Sequence, residues 1–125
     1  MIIKKIESNF KDTRGIITDI LCNQQIDFVT IITNKKGSIR GNHYHKKTIQ
    51  YLYVLEGSIL VASQFEGKEL KQKILKEGDL LLNEPYEWHA IKSLEKNKLL
   101  ILTKGPRGGE NYESDTFKLK KPILT

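Results

Sequence analysis

Two histidines one residue apart are the feature of this sequence best suited to chemistry. His43 and His45 precede a β-branched and aromatic run at 48–55, and glycine turns bound the whole stretch 37–57. Because successive side chains of a strand alternate between faces, both imidazoles point to one side and Tyr44 points to the other. Two imidazoles held in parallel form either half of a metal site or a pair of proton-transfer groups.

Two further side chains complete a candidate metal site. Gln50 begins the next predicted strand, and His89 follows the bend at Pro85. If the strand of His89 pairs with that of the first two histidines, three ring nitrogens and an amide oxygen face one point. Imidazole suits Zn, Fe, Ni or Cu, and a neutral amide leaves the charge of the ion uncompensated, so the site would polarise a ketone or bound water. We therefore expect one divalent metal (Zn, Ni, Fe or Mn) and no organic cofactor, with the ligands His43, His45, Gln50 and His89.

Composition limits the classes of protein to consider. At 125 residues, with 38% hydrophobic and 29% charged residues, the chain is predicted to be one soluble globular domain. No apolar run approaches the roughly 18 residues of a membrane-spanning helix, and no signal peptide is evident. The single cysteine, Cys22, makes no internal disulfide and is expected to be a small buried hydrophobe. These features predict a cytoplasmic protein without membrane insertion.

The net charge of +6 invites a comparison with nucleic-acid-binding proteins. Its lysines are scattered through turns and strand ends, with one cluster at 118–121, and form no basic helical stripe. We therefore expect no nucleic-acid partner. A basic surface of this kind is solvated or favours a small anionic ligand such as a nucleotide diphosphate.

The elements that must position the histidines are predicted to be strands. Short β-prone segments alternate with turn signals every 8–12 residues, and no segment before residue 105 keeps a helical period. This rhythm predicts an all-β sandwich or barrel with essentially no helix. We expect a single domain over 1–125, with N-terminal strands at 1–27, the barrel core at about 28–104 and a C-terminal tail at 105–125 that packs across a sheet edge.

The histidine stretch resembles the first cupin motif, G-x5-H-x-H-x(3,4)-E-x6-G, at Gly37, His43, His45, Gln50 and Gly57. The second cupin motif resembles the segment with Gly78, Asp79, Pro85 and His89. This resemblance implies an RmlC-like cupin jelly-roll β-barrel (a double-stranded β-helix) with its site inside. Cupins usually carry Glu at the position of Gln50, although some sugar-processing cupins place three His and one Gln on a metal.

The run 40–48 is similar to cupin domains that act on nucleotide-linked sugars in surface-polysaccharide biosynthesis. One such group is the bifunctional capsule-sugar epimerase/reductases, whose tail resembles 113–116. The other is the dTDP-4-keto-6-deoxyhexose 3,4-ketoisomerases, which share an early D-x-R-G at 12–15 and a Trp-His pair at 88–89. These isomerases use paired histidines without a metal, and they carry a Tyr where this chain has Ile31 or Ile32.

The resemblance implies an isomerase or epimerase that transfers a proton next to the ketone of a nucleotide-linked 4-keto-6-deoxysugar. His43 or His45 is the expected base, since a base with a pKa near neutrality suits this task. The developing enolate needs a positive partner, which is either a bound metal or Arg40. Arg40 is also expected to bind substrate, unless it only pairs with Glu87 or Asp79. Similar cupins are dimers, which implies a homodimer.

Other side chains have two interpretations each. Lys46 either meets the diphosphate of the substrate or is solvated, and Trp88 either stacks on a sugar or base or fills the end of the barrel. Tyr51 and Tyr53 share a face that suits a contact between sheets or a dimer surface. Two alternative functions also stay open: a non-catalytic saccharide-binding or accessory cupin, and a metal-dependent cupin enzyme of another class such as a dioxygenase.

Overall fold

The structure is a computed structural model that describes residues 1–111 and 113–125. Within these residues the chain forms twelve strands and one short 3₁₀ turn at Gly109–Asn111. The strands are β1 (Ile2–Lys5), β2 (Phe10–Asp12), β3 (Gly15–Ile17), β4 (Phe28–Asn34), β5 (Ile39–Tyr44), β6 (Ile49–Glu56), β7 (Ser58–Gln64), β8 (Lys71–Lys76), β9 (Asp79–Asn83), β10 (Trp88–Ser93), β11 (Asn97–Lys104) and β12 (Phe117–Lys118). The all-β prediction is therefore confirmed.

The strands form two five-stranded antiparallel sheets and a separate hairpin. The first sheet has the order β1-β9-β6-β11-β4, the second has the order β12-β5-β10-β7-β8, and β2 pairs only with β3. The predicted tail contributes β12, which lies at the edge of the second sheet beside β5. None of the helical structure in the described residues has the length and apolar character needed to cross a membrane.

An aliphatic cluster joins the two sheets at one end of the barrel. Strand β6 shows why: its buried residues Leu52 and Val54 alternate with the partly exposed Tyr51 and Tyr53. The cluster consists of Leu52, Val54, Ile59, Val61, Leu75, Leu81, Leu99 and Ile101, contributed by both sheets. Each buried aliphatic side chain stabilises the fold by about 1.5–3 kcal/mol relative to its exposure. This end of the interior is therefore lined by aliphatic side chains.

The same inward faces become polar towards the other end of the strands. Gln50, on the inner face of β6, pairs in register with Asn83 of β9 and Thr103 of β11, and all three are buried. A buried polar surface is costly unless it has partners or a ligand, so this end is the one suited to a binding site.

Part of the outer surface is apolar. Val29 and Ile31 of β4 are 68% and 54% exposed, and the register places them across β11 from Tyr51 and Tyr53. The expectation that Cys22 is buried is wrong: its side chain is exposed because residues 18–27 form no strand and lie outside both sheets.

Candidate functional site

The structure brings the three histidines together inside the polar end of the barrel. Strand β10 pairs antiparallel with β5, and His89 stands directly across from His43. The ring centroid of His43 lies 4.9 Å from that of His45 and 4.7 Å from that of His89. The ring centroids of His45 and His89 are 5.0 Å apart. The predicted pairing of the two strands is confirmed.

A close approach of β5 to β10 makes this pairing possible. Gly41 has a φ of +92°, and a Cβ atom there would lie only 2.7 Å from the carbonyl oxygen of His89. The next residue, Asn42, has a φ of +56° and accepts hydrogen bonds from the backbone amides of Ile123 and Leu124. Glycine is therefore required where the strands converge, and the C-terminal segment is attached beside that point.

Backbone carbonyl groups fix the tautomers of two histidines. His45 Nδ1 lies 2.8 Å from the carbonyl oxygen of Asp115, and His89 Nδ1 lies 3.1 Å from that of Glu87. A carbonyl oxygen only accepts, so each Nδ1 carries the hydrogen and donates it. The Nε2 atoms then keep their lone pairs, and the buried Nε2 of His45 has no hydrogen-bond partner.

Burial keeps all three imidazoles neutral. It lowers the pKa of His43 to about 3, with help from the neighbouring His45 and from Arg107. Burial also lowers the pKa of His45, against the opposing effect of the Asp115 carbonyl, and holds the pKa of His89 well below its usual value. At neutral pH the cluster consequently presents lone pairs rather than positive charges.

These donors fit a divalent cation. The candidate ligand atoms of the histidines all lie within 4.8 Å of one another. Ligands at about 2.1 Å from an ion stand at most about 4.2 Å apart, so the rings would draw slightly together around it. Gln50 is buried and close enough to His45 to raise the pKa of that imidazole. A neutral imidazole whose Nδ1–H is bonded to a carbonyl is the usual state of a metal-ligating histidine.

Arg40 is not brought to the histidines. Its Nε donates to Asn34 Oδ1 at 2.6 Å, and Asn34 in turn donates to Asn97 Oδ1 at 2.8 Å. Asn97 begins β11 and Thr103, the partner of Gln50, lies six residues further along it, which is about 20 Å of strand. The guanidinium of Arg40 thus points towards the opposite end of the barrel. The alternative pairing of Arg40 with Glu87 or Asp79 is wrong, since these carboxylates lie against the Met1 ammonium at 3.0 Å and Lys5 at 3.9 Å.

Sequence reasoning missed Arg107. Its positive charge contributes to the lowered pKa values of His43, His45 and His89, so its guanidinium lies near the cluster. Its Nε donates to Thr116 Oγ1 at 3.0 Å. Arg107 falls in the glycine-rich exit from β11, where no strand period indicates the direction of a side chain, so no sequence signal singled it out.

The other two predicted substrate-binding residues lie on the outside of the barrel wall. The Nζ of Lys46 stands 4.1 Å from the centroid of the Phe117 ring, which stacks on Tyr44. Trp88 is partly buried and precedes His89 on β10, so alternation along the strand turns it away from the face that carries His89. Neither is brought to the histidine cluster, and their roles towards a substrate stay predictions.

The sequence matches a known family over most of its length. The profile of the family described as polysaccharide biosynthesis C-terminal domain matches residues 10–117. No curated protein matches the sequence significantly.

Solved structures share the fold. The sugar 3,4-ketoisomerase QdtA from Thermoanaerobacterium thermosaccharolyticum, in complex with TDP, is 25% identical with a TM-score of 0.78, over 95% of this chain and 88% of that one. A variant of QdtA in complex with TDP-4-keto-6-deoxyglucose is 26% identical, with a TM-score of 0.73 over 88% of this chain and 83% of that one. CapF, a capsular polysaccharide assembling protein from Staphylococcus aureus, is 17% identical with a TM-score of 0.66, over 93% of this chain and 33% of that one. The cupin jelly-roll prediction is confirmed.

Proposed function

The chain belongs to the polysaccharide biosynthesis C-terminal domain family, and we propose that it is an isomerase or epimerase of a nucleotide-linked 4-keto-6-deoxysugar. The observation that supports this most is the cluster of neutral imidazoles at the polar end of the barrel. The likeness to QdtA, which binds TDP and TDP-4-keto-6-deoxyglucose, supports the class of substrate. A reducing cytoplasm is part of this proposal, and the single cysteine suits it.

The reaction needs a base beside a carbon next to the C4 ketone. A neutral imidazole takes the proton from that carbon, and the electrons of the C–H bond pass into the carbonyl to give an enolate. When the proton has come from C3, the hydrogen of the C3 hydroxyl passes to the C4 oxygen, and a proton returned to C4 then makes the 3-keto isomer. A proton returned instead to the carbon that lost it, from the other side, makes the epimer. His43 suits the base because it is only partly buried and so can be reached. Burial lowers its pKa to about 3, which is below the near-neutral value expected of such a base and makes the imidazole a weaker proton acceptor.

The enolate needs a positive partner. Arg107 supports this role because its charge reaches all three histidines, whereas Arg40 is bonded to Asn34. The same guanidinium suits the diphosphate of the substrate. The predicted role of Arg40 therefore passes, in this proposal, to Arg107.

As the alternative to a free acid/base pair, we propose that His43, His45, His89 and Gln50 hold one divalent metal ion, in which case the His43 nitrogen that binds the ion is not the base. The unpartnered Nε2 of His45 and the fixed tautomers of two histidines support this assignment. A cation bound there supplies positive charge that polarises a ketone oxygen. Elemental mass spectrometry of untagged protein should find about one Zn, Ni, Fe or Mn per chain, lost in His89→Ala and kept in Lys68→Ala. Metal-free protein that also fails to take up any of these ions would refute it.

A homodimer is proposed from the apolar outer surface. Val29 and Ile31 are exposed beside Tyr51 and Tyr53, and the separate hairpin exposes Phe10, Ile16 and Ile17. Several large apolar side chains exposed side by side are typical of a surface that another molecule covers. Light scattering should give twice the mass of the chain, about 29 kDa from 14.4 kDa per chain. The mass of a single chain at micromolar concentration would contradict the proposal.

Product analysis tests the enzymatic function. The protein is incubated with TDP-4-keto-6-deoxyglucose and with related nucleotide 4-keto-sugars, and the sugars are identified by proton NMR. We expect a 3-keto isomer or an epimer with at least one of them, loss of this product in His43→Asn, and full conversion in the exposed-turn variant Lys68→Ala. An unchanged panel would refute the proposal.

A second candidate is a non-catalytic saccharide-binding cupin. It is favoured by one observation: where the ketoisomerases that this sequence resembles carry a Tyr, Ile31 points outwards and Ile32 packs against the core. Binding of the TDP-sugar in calorimetry, with no product and with unchanged affinity in His43→Asn, would support this candidate over the enzyme.

A further inference from the structure

The Asp115 carboxylate binds the connection that follows the histidine strand. Its Oδ1 accepts the amide hydrogen of Lys46 at 3.0 Å, and its Oδ2 accepts those of Lys47 and Thr48, each at 2.9 Å. The Thr48 hydroxyl donates to the same Oδ2 at 2.8 Å, and Thr48 is fully buried. One side chain of the C-terminal tail thus takes four hydrogen bonds from three consecutive residues between β5 and β6.

The backbone of the same residue holds an imidazole. The carbonyl oxygen of Asp115 accepts the Nδ1 hydrogen of His45 at 2.8 Å. Asp115 has a φ of +55°, a left-handed conformation that Asp and Asn adopt more readily than other residues with a Cβ. In this conformation the carbonyl of Asp115 faces His45 and its side chain faces the amides of 46–48. The tail is therefore attached to both.

From this arrangement we propose that Asp115 is a positioning residue for His45. Its carboxylate anchors the tail to the amides of 46–48, and the anchored carbonyl fixes His45 as the Nδ1–H tautomer with Nε2 aimed at the cluster. A free neutral imidazole prefers the opposite, Nε2–H tautomer, which would put a hydrogen where the site needs a lone pair. In its bearing on catalysis, this inference rests on the proposed function.

The anchor explains a choice of residue that packing does not. Asp115 is half-buried and belongs to neither hydrophobic cluster. Desolvation raises the pKa of its carboxyl, but the hydrogen bonds that it accepts outweigh this effect and hold the pKa below the usual value. It therefore remains a carboxylate, the form with the most acceptor capacity for clustered amides. The neighbouring Glu113 and Ser114 make no comparable set of side-chain hydrogen bonds in the part of the chain described.

The test is Asp115→Asn with Ser114→Ala as the matched control. Asparagine keeps the shape and tolerates the left-handed backbone, but one carboxylate oxygen becomes an NH₂ that faces the amide and hydroxyl donors. Long-range ¹H–¹⁵N NMR of the metal-free protein near neutral pH reports the tautomer of His45 directly. We expect Nδ1–H in the wild type and in Ser114→Ala, and a shift towards Nε2–H in Asp115→Asn.

Turnover gives the second measurement. We expect kcat for the keto-sugar to fall about 10–100-fold in Asp115→Asn, the range for loss of a group that orients a functional histidine, with KM changed less than threefold. A purely structural role would lower the amount of folded enzyme without changing the tautomer of the folded fraction. If the wild type has no turnover, the proposed function fails, and the tautomer alone decides on Asp115.

A milder variant covers the case in which Asp115→Asn does not fold. Thr48→Val is nearly isosteric and removes only the hydroxyl donor at 2.8 Å. It should shift the tautomer of His45 in the same direction to a smaller degree. An Nδ1–H tautomer that is unchanged in the folded variants, together with wild-type kcat wherever turnover is measured, would overturn the proposal.

Discussion

Replacing Gly41 with alanine should separate the two strands that bring His43 and His89 together. The new Cβ would lie 2.7 Å from the carbonyl oxygen of His89 and 3.0 Å from the Cα of Ala90, both of them backbone atoms that cannot rotate away. The residue must also keep a φ of +92°, which a residue with a Cβ rarely adopts. The change therefore strains the backbone and forces β5 away from β10 by several tenths of an ångström.

The two costs can be separated with a matched glycine. Gly67, in the turn between β7 and β8, has a φ of +76° and nothing within 4 Å of its ideal Cβ position. Gly67→Ala should thus cost only the left-handed backbone, about 1–2 kcal/mol of unfolding free energy. Gly41→Ala adds the steric conflict, and we expect a total of about 3–4 kcal/mol.

Urea unfolding of the metal-free proteins at one pH measures the difference. With a slope of about 2 kcal/mol per molar, an excess of about 2 kcal/mol lowers the midpoint of Gly41→Ala by about 1 M relative to Gly67→Ala. The turnover of Gly41→Ala should also fall, since His43 and His89 lose their register, while Gly67→Ala keeps wild-type turnover. Equal midpoints for the two variants would refute the argument that the close approach of β5 to β10 needs a glycine.

Three further predictions follow from the site and the outer surface. Burial holds the pKa of His43 at about 3 in the folded chain, so on acidification the unfolded chain binds this proton at a higher pH than the folded chain does. Metal-free protein should therefore lose up to about 4 kcal/mol of stability as the pH falls from about 6.5 to 3. Urea unfolding should show a weaker pH dependence for His43→Asn. Arg107→Gln should lower kcat/KM for the TDP-sugar about 100-fold and Arg40→Gln less than threefold, and the reverse order in steady-state kinetics would contradict the placement of the two arginines. Ile31→Lys on the apolar outer face should give a monomer in light scattering, whereas the exposed Lys73→Ala should stay a dimer.

The sequence predicted the parts of the structure that depend on local alternation. The strand at 49–56 alternates between inward and outward residues, so the inner position of Gln50 and the outer positions of Tyr51 and Tyr53 follow from a period of two. His43 and His45 share a face for the same reason. The proximity of His89 came from the match to two motifs, because nothing local to residue 89 shows which strand it will pair with.

The contacts that sequence reasoning missed depend on side chains distant along the chain. Arg40 lies away from the site because it bonds to Asn34, which bonds in turn to Asn97, and no pattern encodes that sequence of partners. The hydrogen bond from His45 to Asp115 joins residues 70 apart in the chain. It is accepted by a backbone carbonyl, a group that every residue has, so the residue type does not indicate it. Arg107 and Asp115 both lie in an irregular segment, where periodicity gives no direction to a side chain.

Solvent deuterium exchange tests the central proposal most directly. The protein is incubated in D₂O with TDP-4-keto-6-deoxyglucose, and the recovered sugar is examined by proton NMR and mass spectrometry. We predict that deuterium enters at a carbon next to the original ketone at a rate at least 100-fold above that of His43→Asn. Wild-type protein that binds this nucleotide sugar yet leaves all its carbon-bound hydrogens unexchanged would contradict the assignment of the histidine cluster to proton transfer.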